Sequence, residues 1–310
     1  MPIITFVIPI IRTDFVDKCL ETLYKFTDPK KFKVIVVDQT LEGWGGQQAT
    51  KILEHGGKII SQKNLGFAVG ANTGLIYGLR WQTPYLAVCN DDVEFIYPNW
   101  LEDLLEEFKT DPRIMAVNPM CPKIAMWGYG HTNGEYLEIL PYKENYTLED
   151  IAYLKAGDYN EEEIKSRHNY EISKTFPFTQ RGVVDAFAGW LPVFKRETLL
   201  QIGLYDERFV WGGGEDYDMM ARIYSCAWPI PREECNPDFH GRAVSTMKSW
   251  VWHHWGKSKD EASSLDPRLF EGREGWNHLN ELWTPSSDPW GHTDGKPNIR
   301  DPKVYIHIPI

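Results

Sequence analysis

Three clusters in this sequence place carboxylate, amide or imidazole groups at spacings that can serve one ligand. The first is Asn90-Asp91-Asp92-Val93, directly after the apolar run Tyr85-Leu86-Ala87-Val88-Cys89. Adjacent carboxylates after a strand are costly unless they are solvated, hydrogen-bonded or bound to a metal. Alternate side chains of an extended segment point the same way, so Asn90 and Asp92 can face one ligand. Oxygen donors of this kind suit Mg2+ or Mn2+, with diphosphate oxygens filling other positions. An Asn/Asp-rich turn or a helix cap has the same composition. The second cluster is Trp211-Gly212-Gly213-Gly214-Glu215-Asp216-Tyr217-Asp218, with Arg222 four residues further on. Acidic residues in a first helical turn complement the helix dipole, and Asp218–Arg222 has the spacing of an ordinary helical ion pair. The glycines, however, let the backbone approach a ligand, and a carboxylate held there can act as a general base. The third is Val251-Trp252-His253-His254-Trp255-Gly256-Lys257-Ser258. One histidine of the pair can bind a metal while the other makes a polar contact; packed, satisfied histidines among tryptophans would look the same.

A fourth pattern, Asn64-x-Gly66-Phe67-x-x-Gly70-x-Asn72-x-Gly74, repeats glycine every four residues. On a helix this is a small-residue stripe that permits close backbone packing. It is not the dinucleotide fingerprint, because the spacing differs and the phosphate-binding turn is missing, and no Walker-type lysine loop occurs.

The elements that must position these groups alternate between two periods. Residues 3–10, 33–38, 57–61, 85–89 and 114–118 read as strands, the apolar runs being those expected of buried parallel strands. Helices fit between them: one capped by Asp14 with Phe15, Cys19, Leu20, Leu23 and Tyr24 on its apolar face, a short one near 47–54, one over 64–80, and one opened by Pro98 and Asn99. This alternation predicts an α/β fold with a Rossmann-like, mostly parallel central sheet flanked by helices. Ligands of open sheets bind beyond the carboxyl ends of the strands, where Asp38 and Asn90–Asp92 fall. Residues 120–182 break the pattern and read as an insertion or flap on the acceptor side, with a helix around 147–168. A strand pair or extended run follows at 183–194, then helices at 196–202 and up to about 225, and a strand at 243–252. The tail, 259–310, carries Pro and Trp with little periodicity; it is expected to pack on the domain, 1–258, or to form a homo-oligomer contact.

The bulk numbers exclude several classes. The net charge of −11 disfavours a nucleic-acid partner, and no lysine run suggests docking on an acidic membrane. Five scattered cysteines without a C-x-x-C pair argue against a disulfide framework and for a reducing, cytoplasmic compartment. The spacing of Cys226, Cys235 and His240 fits no usual zinc pattern. The apolar start, Met1 to Arg12, is too short for a membrane span, and no other stretch nears the ~20 apolar residues that a span needs. Thirteen tryptophans must pack in a core or offer flat platforms to a sugar.

Taken in order, V-I-P-I at 7–10, V-V-D at 36–38, N-L-G-F-A-x-G-x-N-x-G at 64–74, N-D-D-V at 90–93, G-G-E-D-Y-D at 213–218 and H-H-W-G-K-S at 253–258 resemble family 2 of the glycosyltransferases, of GT-A fold, and in particular its rhamnosyltransferase-like branch. The resemblance covers residues 3 to about 258. It implies an inverting, metal-dependent transfer of a sugar from a nucleotide-sugar donor, UDP- or dTDP-linked, to the hydroxyl of a glycan or other acceptor. It implies that Pro9, Asp38, Asn64, Gly66, Asn72, Asn90 and Asp91 contact the donor, and that Asp92 and His253, with His254 as the alternative, bind Mn2+ or Mg2+. Asp216 falls at the general-base position, supported by Glu215, which also reaches acceptor hydroxyls. Trp190 and Trp211 are the expected acceptor platforms. The chain departs from the family where Ile10, Ile11 and Arg12 follow Pro9 in place of Thr-Tyr-Asn, and where Asn90 stands at the first D-x-D position. Two rival readings share the fold: a non-catalytic carbohydrate-binding or assembly protein, and a sugar nucleotidyltransferase. The latter needs a basic, Gly-rich loop after the first strand, and Ile10-Ile11-Arg12-Thr13-Asp14-Phe15 is not one.

Overall fold

Strand β1 (Ile4–Ile10) is buried along its whole length, as a continuous apolar run must be when helices cover both faces of its sheet. Strand β2 (Phe32–Asp38) runs parallel to it with Ile10 opposite Asp38, and β4 (Tyr85–Val88) runs parallel on its other side with Val7 opposite Val88. Strand β3 (Lys58–Ser61) extends the parallel set beyond β2. Helices α1 (Val16–Phe26), α2 (Ala49–Glu54) and α3 (Phe67–Arg80) make the connections. The computed structural model describes residues 1–120, 183–184, 189–209, 213–224 and 241–254. The expected insertion at 120–182 with its helix, the tail 259–310, Trp211, and the group Cys226, Cys235 and His240 lie outside those residues, apart from the backbone of Met120.

The second half of the sheet contains β5 (Val93–Phe95), β6 (Ile114–Met120), β7 (Val183–Val184), β8 (Val193–Lys195) and β9 (Arg242–His253), with helices α4 (Trp100–Thr110), α5 (Arg196–Ile202) and α6 (Glu215–Tyr224). Among the described residues the sheet has nine strands, in the order β3-β2-β1-β4-β8-β6-β9-β5, with β7 also paired to β9. The fold is α/β with a mostly parallel central sheet. Of the two expectations for 183–194, a strand pair or an extended run, the described residues show two strands: β7 pairs with β9, and β8 lies antiparallel between β4 and β6. Strand β5 was not expected; three residues are too few to show a period. Asp14 does not cap α1, because its carboxylate accepts a bond from Arg12 Nε at 2.9 Å.

The glycine stripe does what its spacing predicts. A Cβ on Gly74 would stand 2.2 Å from Val7 Cγ1 and 3.1 Å from Val37 Cγ2, so α3 sits directly on β1 and β2. Both valines belong to buried strands and cannot retreat. Gly74→Ala is therefore expected to cost about 1–3 kcal/mol of stability, read as a lower urea midpoint at an unchanged denaturant slope.

Strand β9 has two roles along its length. Its first part runs parallel to β6, and the register breaks between Pro119 and Met120. Its last part, Val251–His253, pairs antiparallel with β5, setting His253 opposite Val93. Polar bonds hold the bend against α4: Ser249 Oγ donates to the Trp100 carbonyl at 2.8 Å and Thr246 Oγ1 to Glu107 at 3.0 Å. The buried Glu107 is neutralised by Lys248 at 3.1 Å. No helix among the described residues is long and apolar enough to cross a membrane.

Candidate active site

The carboxyl ends of β1, β2 and β4 open on one edge of the sheet, and the segment after β4 turns there. Cys89 N–H donates to the Val7 carbonyl at 2.8 Å, and Asn90 N–H donates to the Trp190 carbonyl at 2.9 Å. These bonds fix the backbone that presents Asn90, Asp91 and Asp92. The end of β9 delivers His253, whose Nε2 is 2.9 Å from Asp92 Oδ1 and 3.2 Å from the Asn90 amide nitrogen. Asp92 and His253 are both nearly fully buried. Burial pushes the Asp92 carboxyl up, but the attraction and hydrogen bond of His253 outweigh it and hold the group below its ordinary value.

Alternation along β9 separates the two histidines. His254 Nε2 lies 2.6 Å from Glu94 Oε1, and its backbone N–H donates to the Asp92 carbonyl at 3.1 Å. His253 therefore faces the site, while His254 and Glu94 lock the end of β9 onto β5. Nothing in the sequence marked Glu94 apart from its place beside the acidic cluster.

Asp92 and His253 are the residues that can hold a divalent ion. A carboxylate oxygen and an imidazole nitrogen that meet at 2.9 Å are the donor types that would suit such an ion. No group of three or more His, Cys, Asp or Glu side chains suited to a metal occurs among the described residues.

Asp216 lies in the first turn of α6, after Gly213 and Gly214, both with positive φ (100° and 96°). A side chain at either would be strained, so the chain can turn sharply into the helix there only with glycine. Asp216 Oδ2 accepts the Gly189 N–H at 3.1 Å, and Oδ1 accepts the Tyr217 N–H at 2.9 Å. Loss of hydration, and then the charge of Glu215, push its carboxyl up to about 7 against the pull of those N–H groups. The residue is partly open to solvent, as a group that exchanges protons with a ligand needs to be.

One turn joins the two acidic motifs: Gly189 donates to Asp216, and the next carbonyl, that of Trp190, receives Asn90. Trp190 itself is only 2 % exposed; its indole N–H donates to the Pro119 carbonyl at 3.0 Å and its ring lies 5.9 Å from that of His253. Its ring is thus closed off by its neighbours rather than open as the flat platform its type suggested.

The residues expected on the donor side divide. Asn64 accepts the Gly66 N–H at 3.0 Å and shapes the entry to α3, where Gly66 has φ 98°. Pro9, in β1, lies beneath Gly70 of α3 at the same edge. Asp38 is 2 % exposed; Thr40 N–H and Oγ1 donate to its Oδ1 at 2.9 and 2.6 Å, and Trp44 N–H to its Oδ2 at 2.6 Å. Most of its accepting capacity thus holds the 39–44 loop. The adjacent Gln39 was overlooked: its Oε1 accepts from Gln62 and from Leu65 N–H, while its buried Nε2 has no partner among the described residues. Asn72 turns away from this edge, because Tyr205 and Glu207 take its amide.

The sequence of residues 5–158 matches the family described as glycosyl transferase family 2. No curated protein matches the chain. Among solved structures, the chain is similar to GalNAc-T7 with UDP, GalNAc and Mn2+ (14% identity, 81% of this chain and 43% of that one, TM-score 0.49). It is also similar to the mannosyltransferase PcManGT from Pyrobaculum calidifontis in complex with GDP-Man and Mn2+ (14% identity, 90% and 70% covered, TM-score 0.46). A third is glucosyl-3-phosphoglycerate synthase from Mycobacterium tuberculosis with Mn2+, UDP and phosphoglyceric acid (12% identity, 87% and 76% covered, TM-score 0.44). The chain spans less than half the length of the first of these. The match to glycosyl transferase family 2 covers 154 of the 310 residues, just under half of the chain.

Proposed function

We propose that the protein is an inverting, metal-dependent glycosyltransferase of the rhamnosyltransferase-like branch, moving a sugar from a UDP- or dTDP-linked donor to an acceptor hydroxyl. The observation that carries this reading is the Gly189–Trp190 turn, which holds a carboxylate of raised proton affinity beside the Asn90–Asp92 and His253 cluster. In this reading Asp92 and His253 hold Mn2+ or Mg2+; the imidazole favours Mn2+. The ion, when bound, neutralises the diphosphate leaving group. Asn90 and Asp91 frame the diphosphate side, and Pro9, Asn64, Gly66 and Gln39 line the nucleoside side. Asp38 serves the nucleoside by shaping its loop.

Asp216 removes the proton of the acceptor hydroxyl as that oxygen attacks the anomeric carbon. The bond from that carbon to the diphosphate oxygen breaks, and the nucleoside diphosphate leaves with the electron pair. Attack from the opposite face inverts the configuration, and no covalent enzyme intermediate forms. Glu215 raises the proton affinity of Asp216 by its charge, and in this reading it also receives an acceptor hydroxyl. The five cysteines, spread along the sequence with no C-x-x-C pair, support a cytoplasmic setting.

The test is a panel of nucleoside diphosphates and their sugars, screened by thermal shift with and without Mn2+. One uridine or thymidine nucleotide is expected to raise the melting temperature only with metal, by mass action. The product anomer, read by proton NMR, is expected to be inverted from the donor. No stabilisation by any nucleotide with Mn2+ would leave a carbohydrate-binding protein as the better reading.

A further inference from the structure

Asn72 lies on α3, 2 % exposed, with both ends of its amide engaged by a segment far away in sequence. Its Nδ2 donates to the Tyr205 carbonyl at 2.8 Å and to Glu207 Oε1 at 3.0 Å, and its Oδ1 accepts the Tyr205 N–H at 2.9 Å. It pairs with the Tyr205 backbone as a strand neighbour would, but from a single side chain. The same segment is gripped from the other side. Arg222 of α6 donates through NH1 to the carbonyls of Ile202 and Leu204, both at 2.8 Å. Its Nε bonds Asp218 at 2.9 Å, and the pair is buried, 4% and 0% exposed at the side chains. A helical pair at this spacing usually lies in solvent and contributes little. Here it is sealed and its charge is used on main-chain carbonyls, so removing one partner leaves an uncompensated buried charge.

We propose that Asn72 is a positioning residue: through Tyr205, the 202–204 carbonyls and Arg222 it ties α6, and with it the general base, to the helix that opens at the donor edge. The inference rests on the glycosyltransferase reading for the role of Asp216, but the tie itself does not. Tyr205 is the middle of the link. Its ring meets Phe67 of α3 edge-on at 5.7 Å, and its buried hydroxyl has no hydrogen-bond partner among the described residues. Burial, and then the charges of Asp216 and Glu215, push its phenol well up, so it lies within their field.

The test compares the full chain with Asn72→Ala and Arg222→Lys. Amide hydrogen exchange is expected to quicken at least tenfold in residues 204–209 and 215–224 of Asn72→Ala, with β1 and β2 unchanged. In steady-state transfer with the nucleotide sugar selected by the thermal-shift panel, kcat is expected to fall more than tenfold while donor KM stays within twofold. Arg222→Lys keeps the charge facing Asp218 and loses the fork to the carbonyls; it should repeat the pattern, and it decides the matter if Asn72→Ala does not fold. Unchanged exchange in 215–224 overturns the proposal. A raised donor KM at constant kcat also overturns it, and makes Asn72 a donor contact. If the wild type transfers no sugar, the glycosyltransferase reading fails, and the exchange pattern alone decides whether the tie exists.

Discussion

Replacing Asp216 with Asn is expected to lower kcat by about 10²–10⁴-fold, the usual worth of a general base, while leaving nucleotide affinity in Mn2+ unchanged. It should also make the protein more stable above neutral pH. The two effects have one cause. Burial and the neighbouring Glu215 hold the Asp216 proton to about pH 7, well above its affinity in an unfolded chain. A carboxyl whose folded-state pKa is raised favours folding fully below its unfolded pKa, and that contribution is lost as pH rises through the folded value. At pH 8 the wild type must keep a charge where water is scarce; Asn keeps much of the shape without the charge. The melting temperature of Asp216→Asn should therefore exceed that of the wild type at pH 8, and the gain should shrink towards pH 4. In the same window wild-type activity should fall as pH drops below about 7, because the base becomes protonated. A variant as active as wild type, or one without a pH-dependent gain in stability, removes Asp216 from the role of base.

The second large effect is expected at Asp92. Asp92→Asn keeps the volume but removes the charge that faces His253 at 2.9 Å. In the proposed mechanism it also removes one of two protein donors to the ion. Nucleotide affinity in Mn2+ should weaken by at least about tenfold, and the thermal shift seen with nucleotide plus metal should disappear. Chelation by EDTA should reduce the wild type to the level of the variant and leave the variant where it is. His253→Ala should behave alike, whereas His254→Ala, which breaks the bond to Glu94, should lower stability more than metal dependence. If nucleotide binding in Asp92→Asn keeps its full dependence on Mn2+, the ion sits elsewhere.

How far these sites could be read from the sequence depended on where the information lies. Strands β1, β2 and β4 announce themselves as unbroken apolar runs, and the glycines of α3 announce close packing; both are local signals. The antiparallel insertion of β8 between β4 and β6 is a matter of pairing partners, which no local period encodes. The Asp92–His253 pair was legible because both residues carry chemistry in their side chains. The link to Asp216 was not, because it runs through the N–H of Gly189 and the carbonyl of Trp190, and a main-chain bond leaves no trace in residue type. Asn72 and Asp38 show the converse. Their polar side chains looked free for a ligand, but folding commits most of the bonding capacity of both to their own chain. Trp190 likewise offered a platform by type, and its neighbours buried it.

The bend in β9 has a consequence for synthesis. His253 meets Asn90 across 163 positions in sequence, and the strand that brings it pairs first with β6 and only at its end with β5. Pairings of such long range are slow to form and cost loop-closure entropy before they return any stability. While the ribosome is still short of residue 253, β1 to β4 can already pack, yet Asp92 lacks its imidazole neighbour. A nascent chain of this protein would thus carry a formed β1–β4 edge while Asp92 still awaits His253, and the pair would close only once β9 is laid down.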